Sequence, residues 1–297
     1  MRFGIMAMQM EALIPRAENA QDVMAQVANF DHAGLVRKIH AAGFNQIELG
    51  GDMGLWFSTS YSPASVEQLL QLKQELGLSY TVHLPIWSVE PSTPLAHVRK
   101  GSARALIDNI LVTTALEPEC YVLHATGSLA AEFYQMHLPE SGKRLILRQF
   151  QQNAMTSIQE TLSATGLPSR KLAIETIEFP FELTFEMAEA LDLSICLDTG
   201  HVLVGFSGAV GLFEVLDTCL PRLAEVHLHD GPWQGEEHKP GYGKDHQALG
   251  KGDLQVGKFL DRLNRAHFDG PLVFELTVSQ ASASLELVRN LRPQYLK

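Results

Sequence analysis

A chain of 297 residues with 34 acidic against 23 basic side chains and a formal net charge of −11 lacks the clustered Lys and Arg with which duplex-DNA proteins neutralise phosphates. Nucleic acid is therefore not the expected partner, whereas a small phosphorylated molecule held by local cations is compatible with this balance. Hydrophobic residues make up 45% of the chain, enough for a large core, yet no run approaches the ~20 apolar residues of a membrane span.

In chain order, short apolar runs at 3–8, 46–49, 79–84, 121–125, 172–176, 194–198, 225–229 and 272–276 read as eight strands. Between them lie stretches of helical period at 32–42, 65–76, 97–116, 143–165, 181–190, 210–219 and 255–266, with a last one near 282–291; Leu69, Leu72 and Leu76 show the spacing. Regular alternation predicts a parallel sheet. Eight units in this length predict an α/β fold, a (β/α)8 TIM barrel, with one domain over 1–297. No GxGxxG follows the first strand, which disfavours a dinucleotide-binding open sheet. Turns at 43–45, 77–79 and 268–271 offer glycine for left-handed helix caps. The longest irregular stretch, 231–252, is rich in Gly, His and charge, as functional or mobile loops are. Cys120, Cys196 and Cys219 form no CxxC pair and read as buried hydrophobes. The segment Met-Arg-Phe-Gly-Ile follows no basic-then-apolar leader, so a cytoplasmic protein with no membrane partner is expected.

Active sites of such barrels lie at the carboxyl ends of the strands. There the sequence places His83 on the third strand, His124 on the fourth, Glu175 on the fifth, Asp198 and then His201 on the sixth, His227, His229 and Asp230 on the seventh, and Glu275 on the eighth. The long loop adds Asp245 and His246. Each interrupts or ends an apolar run, where an ionised carboxylate is costly unless paired or metal-bound. Six consecutive strands that put His, Asp or Glu at the same end predict a divalent metal; imidazole with carboxylate suits zinc, manganese or iron. Glu48 ends the second strand and is read either as a substrate contact or as a structural ion pair. Trp87, His229 and Lys251 are further candidate substrate contacts, while Trp56, Trp233 and Lys244 are weighed as packing or solvated residues. His32, His40, His97, His137 and His267 read as surface residues, and His238 is left open.

The segments Cys-Leu-Asp-Thr-Gly-His (196–201), Val-His-Leu-His-Asp (226–230) and Asp-His-Gln-Ala-Leu-Gly-Lys-Gly (245–252) resemble the xylose-isomerase-like barrel superfamily, which holds sugar isomerases, epimerases and endonuclease IV phosphodiesterases. The resemblance covers nearly the whole chain. On the epimerase pattern, one metal would sit between Glu175, Asp198, His227 and Glu275. The endonuclease IV pattern has nine ligands for three zinc ions and would add His83, His124, His201 and His246; eight of the nine positions match. The ninth is Lys244, with Asp245 shifted by one, so two ions or a third with altered geometry are both implied.

Two activities follow from the resemblance. One is metal-dependent hydrolysis of a small phosphodiester, with two or three zinc ions or with manganese. Segments 80–87 and 116–127 are similar to the cobamide-remodelling phosphodiesterases. The other is sugar or sugar-phosphate isomerisation or epimerisation on one ion, with Glu175 and Glu275 relaying a proton.

Overall fold

The computed structural model describes residues 1–7, 27–28, 30–234 and 240–296. Eight parallel strands close in chain order: β1 (Arg2–Met6), β2 (Gln46–Gly50), β3 (Ser79–His83), β4 (Tyr121–Leu123), β5 (Leu172–Glu175), β6 (Ser194–Asp198), β7 (Leu223–His227) and β8 (Pro271–Phe274). β1 completes the ring by pairing with β8 on one edge and β2 on the other. The fold is the (β/α)8 barrel read from the sequence. β6 matches its expected bounds, and Met8, expected in β1, lies outside the described residues. β7 starts two residues early and stops at His227, so His229 belongs to the following loop. There the backbone leaves the ladder for a side chain: the His229 N–H donates to Thr199 Oγ1 at 3.1 Å, and the Thr199 hydroxyl donates to the His229 carbonyl at 2.6 Å.

Among the described residues the α-helices are α1 (His32–Ala41), α2 (Met53–Trp56), α3 (Pro63–Leu76), α4 (Ala96–Thr113), α5 (Ser128–Gln135), α6 (Glu140–Thr165), α7 (Phe181–Ala190), α8 (Thr199–Leu203), α9 (Leu212–Cys219), α10 (Val256–Arg265) and α11 (Val278–Leu291). The short α2, α5 and α8 carry too few turns for a periodic signal and were not expected. α3 shows why its bounds were legible: Ser62 caps it, Pro63 opens it, and Gly77 closes it with φ +65°. α11 begins four residues before the expected 282, because Thr277 and Gln280 form a reciprocal capping box. At the 268–271 turn the left-handed residue is His267 (φ +55°). Gly270 serves close approach there instead: a Cβ on it would stand 2.4 Å from the Phe268 ring and 2.6 Å from the Ala224 carbonyl. His32, expected at the surface, is buried against Phe30 and Tyr61 with Nδ1 3.1 Å from the Ser60 carbonyl. The three cysteines are buried and free. Among the described residues no helix is long and apolar enough to cross a membrane.

Period-two alternation sorts each strand into an outer and an inner face. Tyr121, Leu123, Leu172, Ile174, Ile195 and Leu197 join the main core beneath the helices. Val122, Ala173 and Cys196 make a separate small cluster. Glu48, Thr81 and Glu225 add buried polar groups to the inner face, beside Met6 and Val273. Glu225 is fully buried and accepts hydrogen bonds from the Thr81 hydroxyl and the Cys120 thiol, each at 3.0 Å. Burial, with the charge of Glu48 added, raises the Glu225 carboxyl to about 8. On the same alternation His83 follows Thr81, Glu175 follows Ala173, Asp198 follows Cys196 and His227 follows Glu225. Since the strands are parallel, these four arrive at one rim.

Candidate metal centre

Glu175 is the hub of that rim. One carboxylate oxygen lies 3.1 Å from His83 Nε2 and 2.9 Å from His124 Nε2; the other lies 3.3 Å from His201 Nδ1 and 3.4 Å from His227 Nδ1. His227 Nδ1 also faces Glu275 at 3.5 Å and Asp198 at 3.8 Å. On the far side of Glu275, its second oxygen is 3.3 Å from His246 Nε2, and His246 Nδ1 is 2.7 Å from Asp245. Asp245 in turn lies 3.7 Å from His201 Nε2. The sequence-predicted ligands therefore converge, including the displaced Asp245. They bound a cavity of about 490 Å³ whose wall includes His83, His124, Glu175, His201, His246 and Glu275.

Their donor atoms fit divalent cations. Among the described residues four sets fall close enough to share an ion each: His83, His124 and Glu175; Glu175, Asp198, His227 and Glu275; His201, His229 and His246; and, beneath them, Glu48, Glu225 and His227. Glu175 Oε1, His201 Nδ1 and His227 Nδ1 are buried with no hydrogen-bond partner, a costly arrangement unless a cation completes it. Outer partners also orient the rings as ligands. His83 donates from Nδ1 to the Leu84 carbonyl at 2.9 Å, leaving Nε2 toward Glu175. His227 directs Nε2 at Glu48, 3.2 Å away, leaving Nδ1 toward the carboxylates.

Without metal, protons balance these charges. Burial lowers the His83 imidazole, but the hydrogen bond to Glu175 and the charge of Glu48 outweigh it, and the pKa rises to about 9. His201 likewise rises to about 9 against its burial, through Asp198 and Glu175. His246 rises to about 11 against its burial, through Asp245 and Glu275. Burial would raise Glu175, yet His124 and His227 hold it well below the usual carboxylate range. Glu275 is held low by His227 and His246 against the same burial effect.

Four candidate substrate contacts separate here. Trp87 is half exposed on the cavity wall, with Trp56 edge-on at 6.4 Å. Lys251 is exposed and lies outside the wall formed by the described residues. His229 is fully buried behind Asp198. Glu48 is fully buried behind His227, its carboxylate 3.2 Å from Nε2. Glu48→Gln is expected to weaken ion binding at His227 about 10–100-fold, measured by competition with a chromophoric chelator; unchanged affinity would remove Glu48 from the centre. His238 lies outside the described residues.

Sequence reasoning missed Asp52, Glu90 and Glu225. Asp52 is buried in the loop after β2 and accepts N–H bonds from Ile86 (2.8 Å) and Trp87 (3.4 Å), tying that loop to the next. Glu90 takes N–H bonds from Gly127 (2.9 Å) and Leu129 (3.1 Å), tying the β3 loop to the start of α5. A carboxylate just past a strand end was the available signal for Asp52. Glu90 and Glu225 looked like an ordinary loop and strand residue.

The comparisons agree with this architecture. The family model described as xylose isomerase-like TIM barrel matches residues 36–293. Two uncharacterized proteins of Methanocaldococcus jannaschii are 21% identical over 77% of this chain and 75% of theirs, and 24% identical over 66% and 70%. A D-tagatose 3-epimerase-like protein superposes with TM-score 0.69 at 19% identity, covering 99% of this chain and 98% of that one. Endonuclease IV from Thermus thermophilus superposes with TM-score 0.67 at 20% identity, covering 99% and 100%. With the strand order, the rim of ligands and a match across most of its length in accord, this chain belongs to the xylose isomerase-like TIM barrel family.

Proposed function

We propose that the protein is an enzyme that hydrolyses a small-molecule phosphodiester with two or three divalent ions, zinc first and manganese as the alternative. The carrying observation is Glu175, whose two oxygens face two different pairs of imidazoles and which belongs to two adjacent ligand sets. A carboxylate so placed suits a bridge between neighbouring ions. When bound, paired ions neutralise charge on a phosphoryl group and acidify water. His83, His124 and Glu175 would hold the first, and Asp198, His227 and Glu275 the second with Glu175 shared. His201 and His246 with Asp245 would hold the third. Glu175 and Glu275 would hold the ions, and Glu275, which lines the cavity, would take a proton from an attacking water. Among the described residues no Lys or Arg lines the cavity, so cationic stabilisation of a phosphate falls to the ions. The acidic chain favours a small substrate over nucleic acid, and a cobamide nucleotide loop is the named candidate. A cytoplasmic, single-domain protein without membrane or nucleic-acid partners completes the reading.

The second reading is a sugar or sugar-phosphate epimerase using only Glu175, Asp198, His227 and Glu275, which form a complete four-ligand set by themselves. Elemental analysis with anomalous scattering separates the two. Two or three ions per chain, one of them on His83 and His124, with turnover of phosphodiesters such as bis(p-nitrophenyl) phosphate or a cobamide, is the expected result. One ion on the four-ligand set, with turnover of ketoses and none of phosphodiesters, overturns it.

A further inference from the structure

Asp245 and His246 are adjacent, and in extended backbone adjacent side chains point to opposite sides. Here both face one point: His246 Nδ1 is 2.7 Å from Asp245 Oδ2, and the same oxygen lies 3.7 Å from His201 Nε2. The backbone makes this possible. His246 has φ +54°, a left-handed conformation that a residue with a Cβ adopts only under local compensation. The compensation comes from one side chain. The His246 N–H donates to His229 Nδ1 at 2.9 Å, and the two rings stack with centroids 4.2 Å apart and planes 10° from parallel.

His229 is itself held on every side. Its backbone is clasped by the Thr199 hydroxyl. Its ring rests on Gly200, where a Cβ would stand 2.1 Å from Nδ1. Its Nε2 lies 2.8 Å from Asp198 Oδ2. An Nδ1 that accepts an N–H carries no proton, so the proton of the neutral ring sits on Nε2 and is donated to Asp198. That is the reverse of His83 and His227, whose outer nitrogens donate and whose inner nitrogens stay open. His229 thus sits among the third ligand set without a lone pair to offer it.

We infer that His229 is a positioning residue: by accepting the His246 N–H it holds the left-handed backbone that lets an adjacent Asp-His pair, with His201, bind a third cation. This rests on the multi-ion reading above. It also gives a physical account of how a carboxylate displaced by one position still reaches the ion.

Two substitutions separate positioning from ligation. Asn at 229 can place its amide oxygen near the Nδ1 position but has nothing at Nε2. Gln reaches toward the Nε2 position and leaves the His246 N–H without its acceptor. Zinc is titrated into each folded, metal-stripped protein at chelator-buffered free concentrations, with ion count by elemental analysis and sites by anomalous scattering. Expected are three ions in the wild type with one between His201 and His246, retention of that ion in His229→Asn within about tenfold in affinity, and its weakening by more than about 100-fold in His229→Gln. Loss of the ion in folded His229→Asn overturns the inference, pointing to Nε2 as a ligand where His229→Gln keeps the ion, and retention in both overturns it by making the clamp unnecessary. A wild type with no ion between His201 and His246 overturns the third site itself, and is told apart because all three proteins then agree. Thermal unfolding checks that each variant folds; should His229→Gln not, Gly200→Ala, which crowds the ring off its acceptor position, is the second means of removing the clamp and is expected to lose the same ion.

Discussion

Glu175→Gln is expected to give a folded barrel that loses at least one of the two ions sharing this carboxylate and turns over at least about 1000-fold more slowly, roughly 4 kcal/mol of transition-state stabilisation. The size follows from how many partners one carboxylate serves. Its two oxygens face His83, His124, His201 and His227 within 3.4 Å, and only 1% of its side chain is exposed. The amide has nearly the same shape but no charge, and only its oxygen can act as a ligand, so two ions can no longer share it. Groups that act as a unit lose most of their effect when any one is removed. The barrel itself should persist, because the facing imidazoles can release their protons when the carboxylate charge is gone. That adjustment limits a penalty that reaches about 3–5 kcal/mol where a buried charge is left unpaired. Circular dichroism, elemental analysis and single-turnover rates check the three parts. Unchanged turnover with a full complement of ions would remove Glu175 from the centre and the multi-ion scheme with it.

The barrel was legible because two periods alternate along the chain, and because a His, Asp or Glu recurs at the carboxyl end of one strand after another. His83, Glu175, Asp198 and His227 could be located this way, since their inward orientation follows from alternation alone. What lay beyond local pattern was not legible. Glu48 reads the same in sequence whether it meets substrate or the back of His227; the closed ring, which brings β2 and β7 within reach across the interior, puts it beside His227. Glu225 carried no signal of its own in the sequence, yet it is fully buried and hydrogen-bonded to Thr81 of β3 and to Cys120, just before β4. The placement of His246 depends on a positive φ at a residue that is not glycine, which composition does not signal. The loop that carries it is anchored by Asp230. That carboxylate accepts N–H bonds from Gly231 (2.9 Å), Gly250 (2.8 Å) and Leu254 (2.9 Å), while its backbone pairs with Gln247. Such a closure spans more than twenty residues, well beyond the reach of local periodicity.

Metal binding is expected to strengthen steeply with pH between about 7 and 9, because each ion must displace protons that the carboxylates hold on the imidazoles. In the metal-free fold His83 and His201 titrate near 9 and His246 near 11, all above the free value of 6.5. A raised folded-state pKa means that these protons stabilise the metal-free fold fully below about pH 6.5. That contribution fades as pH rises through 9 and then 11. Glu175 and Glu275 act in the opposite window. Held well below 4.5, they contribute above that pH and lose the contribution as pH falls through their depressed values. From these groups alone the metal-free barrel is therefore most stable in mildly acidic solution, weakens from about pH 6.5 upward, and has lost the His83 and His201 contributions once the pH passes about 9. An ion binding at His83 displaces one of these protons, so its affinity should gain about tenfold per pH unit; an ion on His201 and His246 displaces two and should gain about 100-fold. Calorimetric titration with zinc in buffers of different ionisation enthalpy counts the protons released, and melting curves at pH 6, 8 and 10 follow the stability. Four protons released at pH 7 on full loading, one each from His83, His201, His246 and His227, whose imidazole is also held well above its free value, with a melting temperature that falls toward pH 10 only in the metal-free protein, is the expected pattern. Loading that releases no protons, with affinity flat between pH 7 and 9, would mean that these imidazoles are not the groups that receive the ions.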